Sequence, residues 1–135
     1  MPRKTERKVI LDSNFLFVPV HFKIDIFEAI EELVGRFEPI VLSTTLDELR
    51  RIFEEGSEKV RREAKLVKLL AGRCRLMEVQ KGVGETCDDV VVRVAKELGC
   101  AVATNDRELR RRLRREGITT IFLRGKSRLE IEGEA

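Results

Sequence analysis

The stretch Lys8-Val9-Ile10-Leu11-Asp12 decides the fold, because it is a short apolar run with an acid directly behind it. Such a run predicts a buried strand. The same pattern recurs at Cys100-Ala101-Val102-Ala103-Thr104, which precedes Asn105 and Asp106. Strand-like and helix-like segments alternate along the rest of the chain. The sequence therefore predicts an α/β fold, with a mainly parallel sheet and helices on both faces.

Five strands, and the helices between them, follow from apolar periodicity and from residues that begin or end helices. Ser57 begins one predicted helix and Gly72 ends it, while Gly99 closes a later one. The predicted strands cover residues 8–11, 39–42, 75–79, 100–104 and 118–123. We expect a single domain over residues 1–135, with a basic arm at 1–8 and a mobile tail at 124–135.

Composition narrows the class of protein. The 135 residues suit one domain, and 38% of them are charged, against about a quarter in ordinary proteins. The excess of Arg, Lys and Glu is typical of thermophilic proteins. No apolar run approaches the roughly 20 residues that span a bilayer, so we expect a soluble cytoplasmic protein. A net charge of +3 is too small to argue nucleic-acid binding by itself.

The three cysteines, Cys74, Cys87 and Cys100, are an odd number at equal spacing. They lack the close pairing of a zinc site, and His21 is the only histidine. We expect them to serve as small buried apolar residues. A disulfide between two of them is the alternative, and a hyperthermophilic source would favour it.

Four acids lie just after predicted strands or near the starts of predicted helices: Asp12, Glu48, Asp88 and Asp106. The carboxyl ends of parallel strands meet at one edge of the sheet, where α/β proteins place their sites. Each acid taken alone has an ordinary explanation as a helix cap, turn residue or surface charge. Gathered together, they would repel one another unless a cation such as Mg²⁺ or Mn²⁺ lay between them.

These residues resemble the motifs of the PIN-domain nucleases. The stretch Ile10-Leu11-Asp12-Ser13-Asn14 is similar to the opening motif of the family, and Thr45-Leu46-Asp47-Glu48-Leu49 to its second acidic motif. The third and fourth resemble Cys87-Asp88-Asp89-Val90 and Thr104-Asn105-Asp106. The likeness is greatest to the archaeal branch related to the eukaryotic endonuclease of the small-subunit processome. The VapC toxins share the fold and are the nearby alternative.

The resemblance implies a five-stranded parallel sheet in the order 3-2-1-4-5 and an endoribonuclease that uses Mg²⁺ or Mn²⁺. It also implies a homodimer and a role in ribosomal RNA processing, with a pre-ribosomal particle, or for a toxin an antitoxin, as partner. Asp12, Asp88 and Asp106 would hold the metal, with Glu48 on a second ion or on the attacking water. Asp89 is the alternative to Asp88. The residues expected to hold these carboxylates in place are Ser13, Asn14, Thr104 and Asn105, with capping of a short helix as the other role for Asn14.

A basic helix is predicted directly after Asp106. Four of its arginines share one face and could guide an RNA backbone toward the metals, namely Arg107, Arg110, Arg111 and Arg114. A solvated face is the ordinary alternative. A non-catalytic RNA-binding scaffold is the competing function, and a flap nuclease acting on DNA ranks below it. An apolar stretch is expected to form either core or dimer interface, and its residues are Phe15, Phe17, Val18 and Val20.

Overall fold

The computed structural model describes residues 7–133, which form one sheet with helices on both sides. The strands are β1 (Arg7–Leu11), β2 (Phe37–Leu42), β3 (Arg75–Met77), β4 (Ala101–Ala103), β5 (Thr120–Arg124) and β6 (Arg128–Glu132). The helices are α1 (Val18–Phe22), α2 (Ile26–Val34), α3 (Ser43–Glu55), α4 (Glu58–Gly72), α5 (Cys87–Leu98) and α6 (Arg107–Arg115), and a 3-10 turn at Asn14–Phe17 precedes α1.

The strand order is β3-β2-β1-β4-β5-β6, which confirms the predicted order of the first five strands. Those five are parallel, and β6 is antiparallel to β5. In the centre, Ile10 of β1 is in register with Ile40 of β2 and Val102 of β4. The carboxyl ends of β1 and β4 therefore lie side by side, at the point where the order of the strands reverses.

The central strand β1 divides the core into two apolar clusters. Val9 and Leu11 pack in one cluster with residues of α2, α3 and α4, among them Val67. Ile10 packs in the other with residues of α5 and α6, among them Val91. Successive side chains of a strand point to opposite faces, so a short run buried on both faces must be apolar throughout. Truncating Ile10, which is fully buried, to Ala should cost about 2–5 kcal/mol of stability.

The segment from residue 124, expected from the sequence to be a mobile tail, contains a strand that was not predicted. Residues 128–132 form β6, which follows β5 after a tight turn and pairs with it, and the side chain of Leu129 in β6 is buried. Arg124 itself belongs to β5. At the other terminus, Arg7 and Lys8 of the predicted basic arm are part of β1. Residues 1–6 of that arm and residues 134–135 of the tail lie outside the described residues.

The apolar stretch after the first acid is core rather than surface. Phe15 and Val18 are buried, and Phe17 and Val20 pack against the same cluster.

The three cysteines are free thiols, and of these only Cys100 is fully buried. None of the helices within residues 7–133 is both long and apolar enough to cross a membrane.

Candidate active site

Asp12 lies at the carboxyl end of β1 and is only 6% exposed. The Thr104 hydroxyl donates a 2.7 Å hydrogen bond to Asp12 Oδ2, and Asn14 Nδ2 donates a longer one of 3.3 Å. Burial raises the pKa of Asp12 to about 6; the Thr104 hydrogen bond opposes this rise, while the charges of Asp88 and Glu48 add to it. Asp12 is therefore a buried carboxyl with two further acids close enough to disfavour its ionised form.

Thr104 connects the first acid with the fourth. Its hydroxyl, which donates to Asp12, accepts a 3.1 Å hydrogen bond from the backbone N–H of Asp106. Asp106 in turn begins α6, where its Oδ1 accepts from the N–H groups of Glu108 and Leu109 at 2.9 and 3.1 Å. The cap fixes the Asp106 carboxylate at the helix N-terminus, where the dipole favours a negative charge.

The two asparagines fasten the loops that carry these acids. The backbone N–H of Asn105 donates to Asn14 Oδ1 at 3.1 Å, which connects the turn after β1 with the turn after β4. Asn105 Oδ1 accepts from the N–H of Leu123 in β5 at 2.8 Å. The Asn14 side chain does not cap the following 3-10 turn, whose N-cap, Ser13, makes no side-chain cap hydrogen bond. The Asn14 side chain thus contacts Asp12 and the turn after β4.

Glu48 is brought to the same edge by α3, which leaves the sheet directly from the end of β2. The Ser13 hydroxyl donates a 2.5 Å hydrogen bond to Glu48 Oε1. Because Ser13 follows Asp12 in the chain, this contact ties the side chain of Glu48 to the end of β1. Glu48 lies close enough to contribute to the raised pKa of both Asp12 and Asp88.

The adjacent acids Asp88 and Asp89 of α5 have different surroundings. Burial raises the pKa of Asp88, as do the charges of Asp106 and Glu48, whereas Arg112 lowers it. Asp89 instead closes a capping box with Thr86, and its Oδ1 lies 2.7 Å from Arg112 Nη1. The Thr86 backbone N–H and Arg112 both hold the pKa of Asp89 below its usual range. Asp88 therefore faces the other acids, and Asp89 is a cap.

The loop between β3 and α5 is fastened at both ends, which fixes the start of the helix that carries Asp88. At one end the Ser43 hydroxyl donates to the Val79 carbonyl at 3.2 Å and accepts from the Val79 N–H at 3.0 Å. At the other, Arg93 donates two hydrogen bonds of 2.9 and 3.0 Å to Glu85 and one of 2.7 Å to the Gln80 carbonyl.

The donor set fits a hard divalent cation. Besides burial, the charges of Asp88 and Glu48 raise the pKa of Asp12, and those of Asp106 and Glu48 raise the pKa of Asp88. A cation placed among these carboxylates would replace that repulsion with attraction. Within residues 7–133, no three Asp, Glu, His or Cys side chains are already grouped as they are around a bound metal ion. The four acids are thus electrostatic neighbours rather than a preassembled metal cage.

The arginines of α6 are not equivalent. Arg107, Arg111 and Arg114 are exposed, as expected of an RNA-binding face. Arg110 is instead half-buried: its guanidinium lies 3.6 Å from the ring centre of Phe122, and Nη2 lies 3.4 Å from Glu132 Oε1. The strand β6, absent from the predicted fold, supplies Glu132 and so draws Arg110 away from solvent.

Sequence reasoning missed the contribution of Arg112, which contacts Asp89 and lowers the pKa of Asp88. The signal was its place next to the buried stripe of α6, formed by Leu109 and Leu113. An arginine that borders such a stripe reaches toward the neighbouring helix rather than into solvent.

Comparison with known proteins bears on these observations. A family model described as a PIN like domain matches residues 9–126. Ribonuclease VapC4 of Methanocaldococcus jannaschii is 30% identical over 132 residues, which cover 93% of this chain and 97% of the relative.

Two solved structures share the fold. The PIN domain endonuclease Utp24 superposes with a TM-score of 0.76 at 24% identity, over 95% of this chain and 92% of that one. VapBC2 from Rickettsia felis, bound to a DNA fragment from its promoter, superposes with a TM-score of 0.57 at 15% identity, over 77% of this chain and 92% of that one. At these identities the likeness concerns the fold alone.

Proposed function

The chain belongs to the family of PIN-like domains, and from this premise we propose that it is a divalent-metal-dependent endoribonuclease with its active site at Asp12, Glu48, Asp88 and Asp106. The observation that carries the proposal is the meeting of four acids from four separate elements: Asp88 and Glu48 add to the raised pKa of Asp12, and Asp106 and Glu48 add to that of Asp88. A fold needs no such arrangement for stability, since buried like charges are unfavourable. Their retention is therefore better explained by a cation and its chemistry.

In this proposal Asp12, Asp88 and Asp106 hold Mg²⁺ or Mn²⁺, and Glu48 holds a second ion or orients the attacking water. The bound metal supplies a water of lowered pKa and stabilises the negative charge that develops on the phosphate. Hydrolysis leaves a 5′-phosphate and a 3′-hydroxyl.

The surrounding residues hold the carboxylates in place. The Thr104 hydroxyl orients one oxygen of Asp12, and its hydrogen bond lowers the pKa of the Asp12 carboxyl. Ser13 holds one oxygen of Glu48, and the other remains for the ligand. Asn14 and Asn105 fix the two loops relative to each other. The carboxylates of Asp12 and Asp106 therefore keep a constant relative position around the bound phosphate.

The biological role proposed is ribosomal RNA processing by a homodimer that acts on pre-ribosomal particles. Its support is the motif pattern and the shared fold with the PIN domain endonuclease Utp24. A toxin ribonuclease with an antitoxin partner is the second candidate, favoured by the 30% identity to a protein named Ribonuclease VapC4. Co-purification with pre-ribosomal particles would support the first role, and a small antitoxin gene directly upstream would support the second.

The test compares wild type, Asp12→Asn and Asp47→Asn on a structured single-stranded RNA, each with Mn²⁺, Mg²⁺ or EDTA. Asp47 is the matched control, because it is an exposed carboxylate next to Glu48 whose ion pair within residues 7–133 is with Arg50, at 3.5 Å. We expect metal-dependent cleavage by wild type and Asp47→Asn and its loss in Asp12→Asn. Binding without cleavage by all three would favour the scaffold function instead.

A readout independent of activity accompanies this assay. If the four acids bind a cation, Mn²⁺ should raise the melting temperature of wild type, since a ligand that binds only the folded state stabilises it. The increase should be much smaller in Asp12→Asn and retained in Asp47→Asn. An equal increase in all three proteins would place the metal elsewhere.

A further inference from the structure

The arginines of α6 divide into those that are paired and those that are not. Arg110 and Arg114 contact Glu132 at 3.4 and 3.9 Å, and Arg112 contacts Asp89 at 2.7 Å. These contacts hold β6 and α5 against α6. Paired in this way, Arg110 and Arg112 serve the fold, and the longer contact of Arg114 leaves it 64% exposed.

The other three arginines, Arg107, Arg111 and Arg115, are exposed and have no ion-pair or hydrogen-bond partner among residues 7–133. They lie four residues apart and so form one stripe along the helix, which we call the α6 track. At 1.5 Å per residue the track is about 12 Å long. Its far end borders a shallow depression of about 360 Å³ lined by Arg111, Arg114 and Arg115.

The stability of the helix does not explain this stripe. Like charges at a spacing of four residues repel one another and destabilise a helix slightly. Arg107, moreover, lies in the first turn, where the helix dipole disfavours a cation. An anionic ligand along the track would relieve both effects, and the track begins directly behind the Asp106 carboxylate.

We infer that the α6 track binds the phosphate backbone of the RNA strand that leaves the active site past Asp106. This rests on the proposed function and adds Arg115 to the RNA-binding residues, while it assigns Arg110 to the fold. A stacked strand advances about 3.4 Å per nucleotide, so the track spans about three to four nucleotides. Contact is to phosphates, without base reading, because no aromatic side chain lines the depression at the end of the track.

The test measures RNA binding without cleavage. Asp12→Asn protein in EDTA is titrated against a fluorescent single-stranded 12-mer at several salt concentrations, alone and with Arg107→Ala, Arg111→Ala and Arg115→Ala combined. The control triple removes the same charge from the exposed surface of α4, through Lys59→Ala, Arg62→Ala and Lys65→Ala. Melting curves establish that both triples fold.

We expect the track triple to bind at least about tenfold more weakly at low salt, with a slope of log K against log salt reduced by about 2, or 0.7 for each lost phosphate contact. The control triple should stay within about twofold of the parent. Equal losses of RNA affinity in both triples would overturn the proposal, because RNA binding would then depend on total surface charge and not on the α6 track.

Two further outcomes separate the track from the proposed function. In the cleaving wild-type background, shortening the RNA on one side of the cleaved bond to fewer than about four nucleotides should raise KM, and the track triple should make KM insensitive to that shortening. If wild type cleaves RNA and the track triple binds as tightly as its parent, the track fails and the nuclease stands. If no RNA is cleaved but the triple loses binding, the track stands and the nuclease fails.

Discussion

The Ser13 hydroxyl donates a 2.5 Å hydrogen bond to the Glu48 carboxylate, although 35 positions separate the two residues in the chain. This contact crosses from the end of β1 to α3. It connects a residue adjacent to Asp12 with an acid from another element. Helix α3 brings Glu48 to the other acids, and the Ser13 hydroxyl holds one oxygen of its side chain there.

Ser13→Ala should reduce RNA cleavage by about 10–100-fold, the range typical of groups that orient metal-binding side chains. Ser13→Thr keeps the hydroxyl and should retain most of the activity. The measurement is kcat over a Mn²⁺ titration for the three proteins. If alanine and threonine reduce activity equally, the hydrogen bond to Glu48 is not what Ser13 contributes, since only the alanine variant lacks it.

The raised pKa of Asp12 predicts a stability that depends on pH in the absence of metal. The pKa is about 6 in the folded protein against an ordinary 3.8, so the folded state binds the proton more tightly than the unfolded chain. The contribution of Asp12 to stability therefore falls as the pH rises from about 4 to about 6 and is then constant. The full loss is of the order of 3 kcal/mol, at 1.36 kcal/mol per pKa unit.

Asp12→Asn removes this loss and should be the more stable protein above pH 6 in EDTA, by about 1–3 kcal/mol in urea unfolding. Near pH 4 the difference should shrink toward zero, because wild-type Asp12 is then mostly protonated. A variant that is less stable than wild type at pH 7.5 in EDTA would show that Asp12 is not disfavoured as an anion.

Much of this site was predictable because strand ends in a parallel sheet converge. Asp12 and Asp106 follow apolar strands that the structure pairs side by side, with the Asp12 N–H bonded to the Ala103 carbonyl. The contact between Ser13 and Glu48 was not predictable, since the rotation of α3 about its axis is set by packing around Leu49. A helix periodicity identifies the buried face but does not say which neighbouring loop the next residue meets.

Strand β6 was not predicted, although its sequence alternates as a strand does, because most of its residues are charged. Arg128-Leu129-Glu130-Ile131-Glu132 alternates in the manner of a strand with one buried face, yet three of its five residues are charged. All three of those charges are paired in the fold: Glu130 with Arg124 and with Arg128, and Glu132 with Arg110. Charge content alone suggested mobility, because the partners lie on a neighbouring strand and helix.

Thr104→Val is expected to destabilise the protein by about 1–3 kcal/mol, because valine has nearly the same shape but leaves buried polar groups unpaired. The hydroxyl is fully buried and serves both the Asp12 carboxylate and the Asp106 N–H. Its loss should also raise the pKa of Asp12 further, since the Thr104 hydrogen bond lowers it. Thr104→Ser, which keeps the hydroxyl, is the control in urea unfolding at pH 7.5, and equal losses for both variants would point to packing instead.

The neighbouring acids Asp88 and Asp89 should respond oppositely to removal of their charge. Asp88→Asn removes a proposed metal ligand, so cleavage should fall by at least about 100-fold. It also removes an acid whose charged form is disfavoured by burial and by the charges of Asp106 and Glu48, so stability should hold or rise. Asp89→Asn weakens the capping box with Thr86 and the contact with Arg112, and should cost about 0.5–2 kcal/mol with cleavage largely retained. Kinetics and urea unfolding on both variants decide the matter, and loss of cleavage only in Asp89→Asn would reverse the assignment.

Arg110 should behave as a structural residue rather than an RNA ligand. Its guanidinium stacks 3.6 Å from the Phe122 ring centre and reaches Glu132 of β6. Arg110→Met therefore keeps most of the apolar contact but leaves that carboxylate with only the longer contact to Arg114, at 3.9 Å. We expect a loss of about 1–2 kcal/mol in urea unfolding, from the cation–π contact and the half-buried ion pair together. Adding Glu132→Gln to Arg110→Met should recover part of this loss, because the carboxylate that has lost its shorter ion pair is then uncharged. RNA affinity should change by less than about twofold in Arg110→Met, and a fall as large as that of Arg111→Ala would mean that Arg110 leaves β6 to bind phosphate.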